Sequence, residues 1–296
     1  MATNAVTTRS QGCFLWTMLL LYVLARICQL YADKLPTLAI VMLHVVPPAL
    51  FALLHGSRLY RLKGILVFMA FCLGFGALFE SLSLRTGFPF GHYCFTDVMG
   101  PKVMNVPILL VLAYLGIGYL SWVLGLVILG YLDKSLVGVR VIALPLLASF
   151  IMVAWDLSME PDWATLDRAW IWQNGGPYFG IPFSNFFGWY LTAYLFYQSF
   201  ALYCRAKPVP PPPSSRNYWR IAILFYGICA AGNLLIVRFP MAPPIVTDAS
   251  GRQWVTMSIL RTCILISVFV MGPITLLAWL RLKERASDSC GVILEG

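Results

Sequence analysis

Residues 154–190 read AWDLSMEPDWATLDRAWIWQNGGPYFGIPFSNFFGWY. An apolar run closes on Trp155 and Asp156, and one helical turn later stand Glu160 and Pro161. A loop rich in Trp and Gly follows, and a second apolar run opens around Asn185. Two apolar runs joined by a turn-rich segment predict two neighbouring helices, with acids, amides and indoles collected where they meet. Ionisable groups are expensive at membrane depth, so acids at the ends of apolar runs mark this segment as the one to explain. Residues 80–107 are apolar, aromatic and turn-rich in the same way. The rest of the chain reads as a frame for these two stretches.

Composition sets the class. Of 296 residues, 60% are hydrophobic and 11% charged, whereas soluble domains carry about 25% charged residues. The expectation is an all-α, polytopic integral membrane protein with about eight transmembrane helices in one bundle. The apolar runs fall at 14–31, 35–54, 65–84, 106–129, 141–159, 183–203, 219–237 and 257–280, each close to the roughly 20 residues a span needs. Residues 1–13 read as a loose polar tail, 14–285 as the bundle, and 286–296 as a disordered polar tail. The first run lacks a small-residue cleavage site, so it reads as a span rather than a signal peptide.

The net charge of +9 is spread over short loops, with no basic helix or recognition motif, so no nucleic-acid partner is expected. It sets orientation instead. With eight spans, thirteen Lys and Arg fall on the side of both termini and six on the other. The positive-inside rule then puts both termini in the cytoplasm, with a prokaryotic plasma membrane as the expected home. The same parity puts loops 85–105 and 160–182 together on the outer face, where they can share one site. Loop 85–107 is expected to fold back on the bundle.

Within spans, Arg26 is expected to snorkel to the interface, and His44 to be a hydrogen-bonded packing residue. Pro47 and Pro48 are expected to kink the second span. Residues 55–64 read as a basic loop and the PVPPPP segment as a stiff spacer. No two of the eight cysteines lie within four residues of each other, so no zinc or redox pattern exists and no metal site is expected.

Glu80 and Asp156 end spans that finish on the same side. Asp156 and Glu160 are four apart and share a helix face if the helix persists that far. Carboxyls close together in apolar surroundings hold a proton more firmly, and a protonated carboxyl is a general acid. These three are the candidate catalytic residues. Asp162 and Asp167 read as solvated loop acids. Asn185, His92, Tyr93 and Tyr178 can hold a water or a hydroxyl. Trp155, Trp163, Trp170, Trp172 and Trp189 are more numerous than an interfacial belt requires, and aromatic faces stabilise cations. There is no P-loop, GxSxG, HExxH or DDxxD motif, so nucleotide, zinc-protease and prenyl-diphosphate chemistry have no support.

Four stretches carry a resemblance: Glu80 with the TGFPFGHY segment at 86–93, Gly100-Pro101 with Val106-Pro107, Ala154-Trp155-Asp156, and the YFGIPFSNFFGW segment at 178–189. In that order they resemble the membrane-type carotenoid hydratases, such as the bisanhydrobacterioruberin and gamma-carotene hydratases. The resemblance implies addition of water across the terminal double bond of an acyclic carotenoid end, giving a tertiary alcohol, without a cofactor. Phe90, Tyr93, Trp155 and Trp189 are expected to contact the substrate or its water. Where the family pattern has Asp-Pro, this chain has Glu160-Pro161. From the residues, Asp156 is the expected proton donor, assisted by Glu80, with Asn185 and Tyr93 positioning water.

Two other readings stay open. An isoprenoid cyclase shares the protonation step but ends in ring closure, and a transporter or lipid-binding scaffold does no chemistry. The expected partners are an acyclic carotenoid or other long isoprenoid and the lipid bilayer. Oligomeric state is not readable from the chain.

Overall fold

The computed structural model describes residues 2–132, 136–207, 211, 213, 215–236 and 243–291, with side chains described between residues 12 and 284. The turn at Asp133 and Lys134, Arg238, and parts of the proline segment and of the loop after it lie outside the described residues. Every expected apolar run forms helix. Helix α1 (Ala2–Cys28) starts within the expected polar tail and passes through a 3-10 turn at Gln29–Tyr31. Next come α2 (Thr37–Thr86), α3 (Ile108–Leu129), α4 (Arg140–Glu160), α5 (Phe183–Ala206) and α6 (Arg216–Ile236). The last run is α7 (Thr256–Ile266), a π-turn at Ser267–Met271 and α8 (Gly272–Gly291), so helix continues into the expected C-terminal tail.

Six of these helical stretches are long and apolar enough to cross a membrane among the described residues. One of the six, α2, holds two of the eight expected runs. The expected loop at 55–64 is not a loop. It is helix broken at one residue, Arg61, with φ 59° and ψ 169°. A Cβ on Gly56 would meet Ile65 Cδ1 at 2.3 Å. In an unbroken helix residues nine apart are roughly 13 Å apart, so the chain doubles back here. Pro47 and Pro48 sit within helix, and Arg61 is the only residue of α2 with non-helical backbone angles. The 24-residue α5 falls outside the six because tyrosines, Asn185 and Gln198 dilute its hydropathy.

Helices satisfy their own backbone groups, which is why they suit a bilayer. Side chains such as Leu20, Phe150, Phe187 and Phe269 are exposed on the outside, where a soluble protein would place charge. Helix α3 is apolar all round and mostly buried, as a central helix must be. Its Gly116 lies against the backbone of Pro48 and Ala49, and Gly125 against Leu144 of α4.

Among the described residues the connections form three small antiparallel ribbons. Strand β1 (Tyr93–Phe95) pairs with β4 (Trp170–Trp172), placing Tyr93 opposite Trp172 and Phe95 opposite Trp170. Strands β2 (Lys102–Val103) and β3 (Val106–Pro107) make a hairpin turned by Met104 and Asn105, both at positive φ. Strands β5 (Ile245–Thr247) and β6 (Gln253–Val255) make another, across the polar turn at 248–251. The loops after α2 and α4 are therefore hydrogen-bonded to one another, and loop 85–107 does fold back, with Phe90, Tyr93 and Met99 buried.

The Gly116 contact gives a test of this packing. A Cβ there would lie 2.8 Å from Pro48 Cβ and 3.0 Å from its backbone carbon. Overpacking of this kind costs about 1–3 kcal/mol, so Gly116→Ala is expected to lower the unfolding temperature in detergent by several degrees. Gly74→Ala, where nothing lies within 4 Å of the added carbon, is the matched control and is expected to change little. Equal melting of the two variants would remove the close α2–α3 approach.

Candidate active site

The site grows from the C-terminal turns of α2. Gly87, at φ 80°, ends the helix, and its N–H bonds back to Ser83 O. Ser83 Oγ donates to Gly91 O at 2.9 Å and accepts from Phe90 N at 3.3 Å. These bonds turn the chain back, and β1 then brings the Tyr93 hydroxyl onto Glu80 Oε2. From α3, Tyr114 donates to the other oxygen, Glu80 Oε1, at 2.6 Å. Its ring stacks on Trp189, with centroids 4.3 Å apart.

Helix α4 persists to Glu160, so Asp156 and Glu160 do share a face, and both are buried. Side chains two apart on a strand point the same way, and β4 uses this. The indoles of Trp170 and Trp172 both donate to Glu160 Oε1, at 2.7 and 2.9 Å. Indole N–H is a donor only, so Oε1 is an acceptor, and Oε2 has no hydrogen-bond partner among the described residues. Asn185, in the first turn of α5, donates its amide to Asp156 Oδ2 at 3.2 Å. Asp156 Oδ1 is buried without a partner among the described residues. Ser184 Oγ, donating to Phe90 O at 2.7 Å, ties the start of α5 to the first loop.

Glu80, Asp156 and Glu160 are thus gathered from two helices with only neutral donors around them. Among the described residues the ion pairs are Lys102–Asp97 and Arg281–Glu284, neither of them here. A cavity of about 20 Å³ is bordered by Glu80, Tyr93, Glu160, Asn185, Trp172 and Trp189. A single water needs roughly 10–15 Å³, so this is a one-water space. Phe90 also lines it, as expected for a site residue. Asp156 does not line it and stands behind Asn185. A second cavity of about 60 Å³ lies against it, and Leu110 and Trp170 border both.

The other expected site residues lie elsewhere. Trp155 borders the larger cavity and meets Trp189 edge-on at 6.2 Å. Tyr178 donates to Leu157 O at 2.9 Å and lines neither cavity, and His92 is exposed, its ring lying against Gly87. Two expectations are overturned. Arg26 does not reach the interface. It is buried, donating to Asn233 Oδ1 at 2.5 Å, because α6 offers an amide beside it. Asp162 is not solvated. It is buried and accepts from Gln29 at 3.2 Å. Tyr114 was missed, since a tyrosine within an apolar run gives no local sign of its partner. His44 is the packing residue expected, with Nδ1 on Ile40 O at 2.9 Å. No group of three or more His, Cys, Asp or Glu is arranged to hold a metal among the described residues.

Comparison with known families was decisive at one level. A family model described as carotenoid biosynthesis protein matches residues 36–251. The chain belongs to that family. Its work therefore lies in carotenoid biosynthesis, and the matched region contains Glu80, Asp156, Glu160 and both loops. Searches of curated proteins and of solved structures returned no match.

The β5–β6 hairpin braces the loop of this family member that carries β4. Arg168 donates to Thr247 O at 3.1 Å, and Gly180 lies against Asp248. Asp248 accepts four hydrogen bonds, two from Ser250 and one each from Arg252 and Trp254. Partial burial works against its charge, but these bonds outweigh it and hold the carboxyl below its ordinary value of 3.8. A depressed carboxyl contributes stability above its unfolded value and loses it as pH falls through the folded one. Hydrogen-exchange protection of the Ser250 and Arg252 amides is therefore expected to be constant from neutral pH down to about 4 and to fall below it. Protection that persists through strong acid would dismiss Asp248 as the clamp.

Proposed function

We propose that this protein is a hydratase that adds water across the terminal carbon–carbon double bond of an acyclic carotenoid end. The observation that carries it is the one-water cavity walled by aromatics and bordered by two of the cluster's three carboxyls. Ionised carboxylates without a cation are very costly to bury, and that cost is avoided when the cluster keeps protons. Such a cluster is suited to protonating an alkene.

The step balances without a cofactor. A carboxyl gives its proton to the less substituted alkene carbon, and the π electrons form the new C–H bond. The tertiary cation left behind faces Trp189, Trp170 and Trp172, whose π faces favour positive charge. The cavity water attacks it, and the oxonium returns a proton to the carboxylate. Exposed Phe88, Phe183 and Phe187 give a chain dissolved in the bilayer an apolar approach to this end of α2 and α5.

From the sequence alone Asp156 is the expected donor. The geometry favours Glu160 as the acid that meets the alkene, because Glu160 lines the cavity and has one oxygen without a partner. Asp156 is then a positioning residue. By taking the Asn185 N–H it turns the Asn185 carbonyl toward the water. Glu80, gripped by Tyr93 and Tyr114, fixes its part of the cavity wall.

General acids contribute roughly 10²–10⁴-fold. In a lycopene-producing host, Glu160→Gln is expected to lower the hydrated pigment by that order, and Asp156→Asn by less. Pigment gaining the mass of one water is the readout. Unchanged mass with a new ring would turn the reading to a cyclase, and full hydration by both variants would end the acid assignment.

The excess of Lys and Arg on the side of the termini supports both termini in the cytoplasm of a prokaryotic cell. Alkaline phosphatase fused after residue 296 is expected to stay inactive, and an active fusion would reverse the orientation.

A further inference from the structure

Hydration within a bilayer needs a supply of water. We propose that a water path runs to the acid cluster through three adjoining cavities. The purpose of such a path rests on the hydratase reading, although its test does not. The outermost cavity, about 410 Å³, lies where the ends of α1 and α4 meet α2 and α7. Asp33 and Asp167 are exposed at its rim, and Gln29 and Asp162 are buried in its wall. Trp163 borders both this cavity and the 60 Å³ one. Leu110 and Trp170 in turn border the 60 Å³ cavity and the 20 Å³ cavity at Glu80 and Glu160. One side chain is therefore common to the walls of the first two, and two side chains to those of the second pair.

Unpartnered polar atoms mark the same route. Buried polar groups are nearly always hydrogen-bonded, to protein or to ordered water. Gln29 Oε1 in the outer wall and Arg26 Nε in the middle wall are buried with no partner among the described residues. The other such side-chain atoms among the described residues belong to Asp156, which stands behind Asn185, and to Ser121 and Gln198, and these three residues line none of the three cavities. Apolar cavities stay dry, whereas polar ones of this size hold water bound to such atoms.

Arg26 gives the passage its selectivity. His44 Nδ1 lies on a carbonyl oxygen, Ile40 O, so it carries the hydrogen and leaves Nε2 to accept from Arg26 Nη1 at 3.4 Å. Asn233 Oδ1 takes the other arm, and Asn233 is itself held by Ser267 Oγ at 2.8 Å. Both partners are neutral, and no carboxylate lies within 4 Å of Arg26 among the described residues. A fixed cation in a narrow passage admits water and opposes protons and metal cations. The path thus supplies the nucleophile without draining the acid cluster.

Radiolytic hydroxyl-radical labelling of the full chain in lipid nanodiscs tests this, with water enriched in heavy oxygen as the probe. Met99 and Cys229 border the middle cavity, whereas Met152 and Cys72 are at least as buried and border none of the three. Met99 and Cys229 are expected to take up heavy oxygen several-fold faster than Met152 and Cys72. The combined Arg26→Met and Gln29→Leu variant is expected to lose that difference, while Glu160→Gln keeps it. Met99 and Cys229 as unreactive as Met152 and Cys72 in the unaltered protein would overturn the path, whatever the variants do. Labelling as expected in a protein that forms no hydrated pigment would leave the path standing and remove the hydratase reading.

Discussion

Three carboxyl groups share a greasy interior with no ion-pair partner, and much of the surrounding structure serves to make that tolerable. Burying a polar group without hydrogen bonds costs a few kcal/mol or more. Here the partners are two phenols, two indoles and an amide, all neutral. The five arrive from four places. Tyr93 comes from a loop strand, Tyr114 from the central helix, Trp170 and Trp172 from a second loop, and Asn185 from the first turn of α5. Had lysine or arginine been used instead, the acids would be locked as ion pairs. Neutral donors hold the groups in place and leave them chemically open.

The β1–β4 ribbon is what joins these contributions. It is only three residues long on each strand, and isolated two-stranded ribbons are marginal in water. Its stability comes from what it touches. Tyr93, Phe95, Trp170 and Trp172 form one aromatic face over the helix ends, with Tyr93 and Trp172 centroids 4.8 Å apart. The β5–β6 hairpin then leans on the same loop through Arg168 and through the Phe179–Trp254 contact. Connection and active site are here the same object, which is why these loops are aromatic where ordinary loops are polar.

Much of this was written in local sequence. Apolar runs gave helices, because a bilayer asks for length and hydropathy and both are visible in the chain, although α1 starts at Ala2 rather than at 14 and α8 runs to Gly291 rather than to 280. The Asp156–Glu160 spacing and the aromatic, turn-rich loops gave the place of the site. The details that stayed hidden depend on partners distant in sequence. Tyr114 meets Glu80 across 34 positions, Asp162 meets Gln29 across 133, and Arg26 meets Asn233 across 207. An arginine near the end of an apolar run is expected to reach outward, and only packing with α6 tells it to stay in. The reversal at Arg61 was hidden for the opposite reason. A one-residue break leaves almost no sequence footprint, so a basic segment that stays helical to within a residue of the turn reads as a loop.

That reversal also sets a tolerance. With a single non-helical residue between its arms, α2 has no slack in which to absorb a change in length. One residue added between Arg61 and Glu80 would swing everything beyond it by about 100° around the helix axis, carrying Glu80 away from its tyrosines. Natural variation in chain length should therefore gather elsewhere, in segments such as that between α5 and α6, while the spacing from the elbow to the acid stays constant.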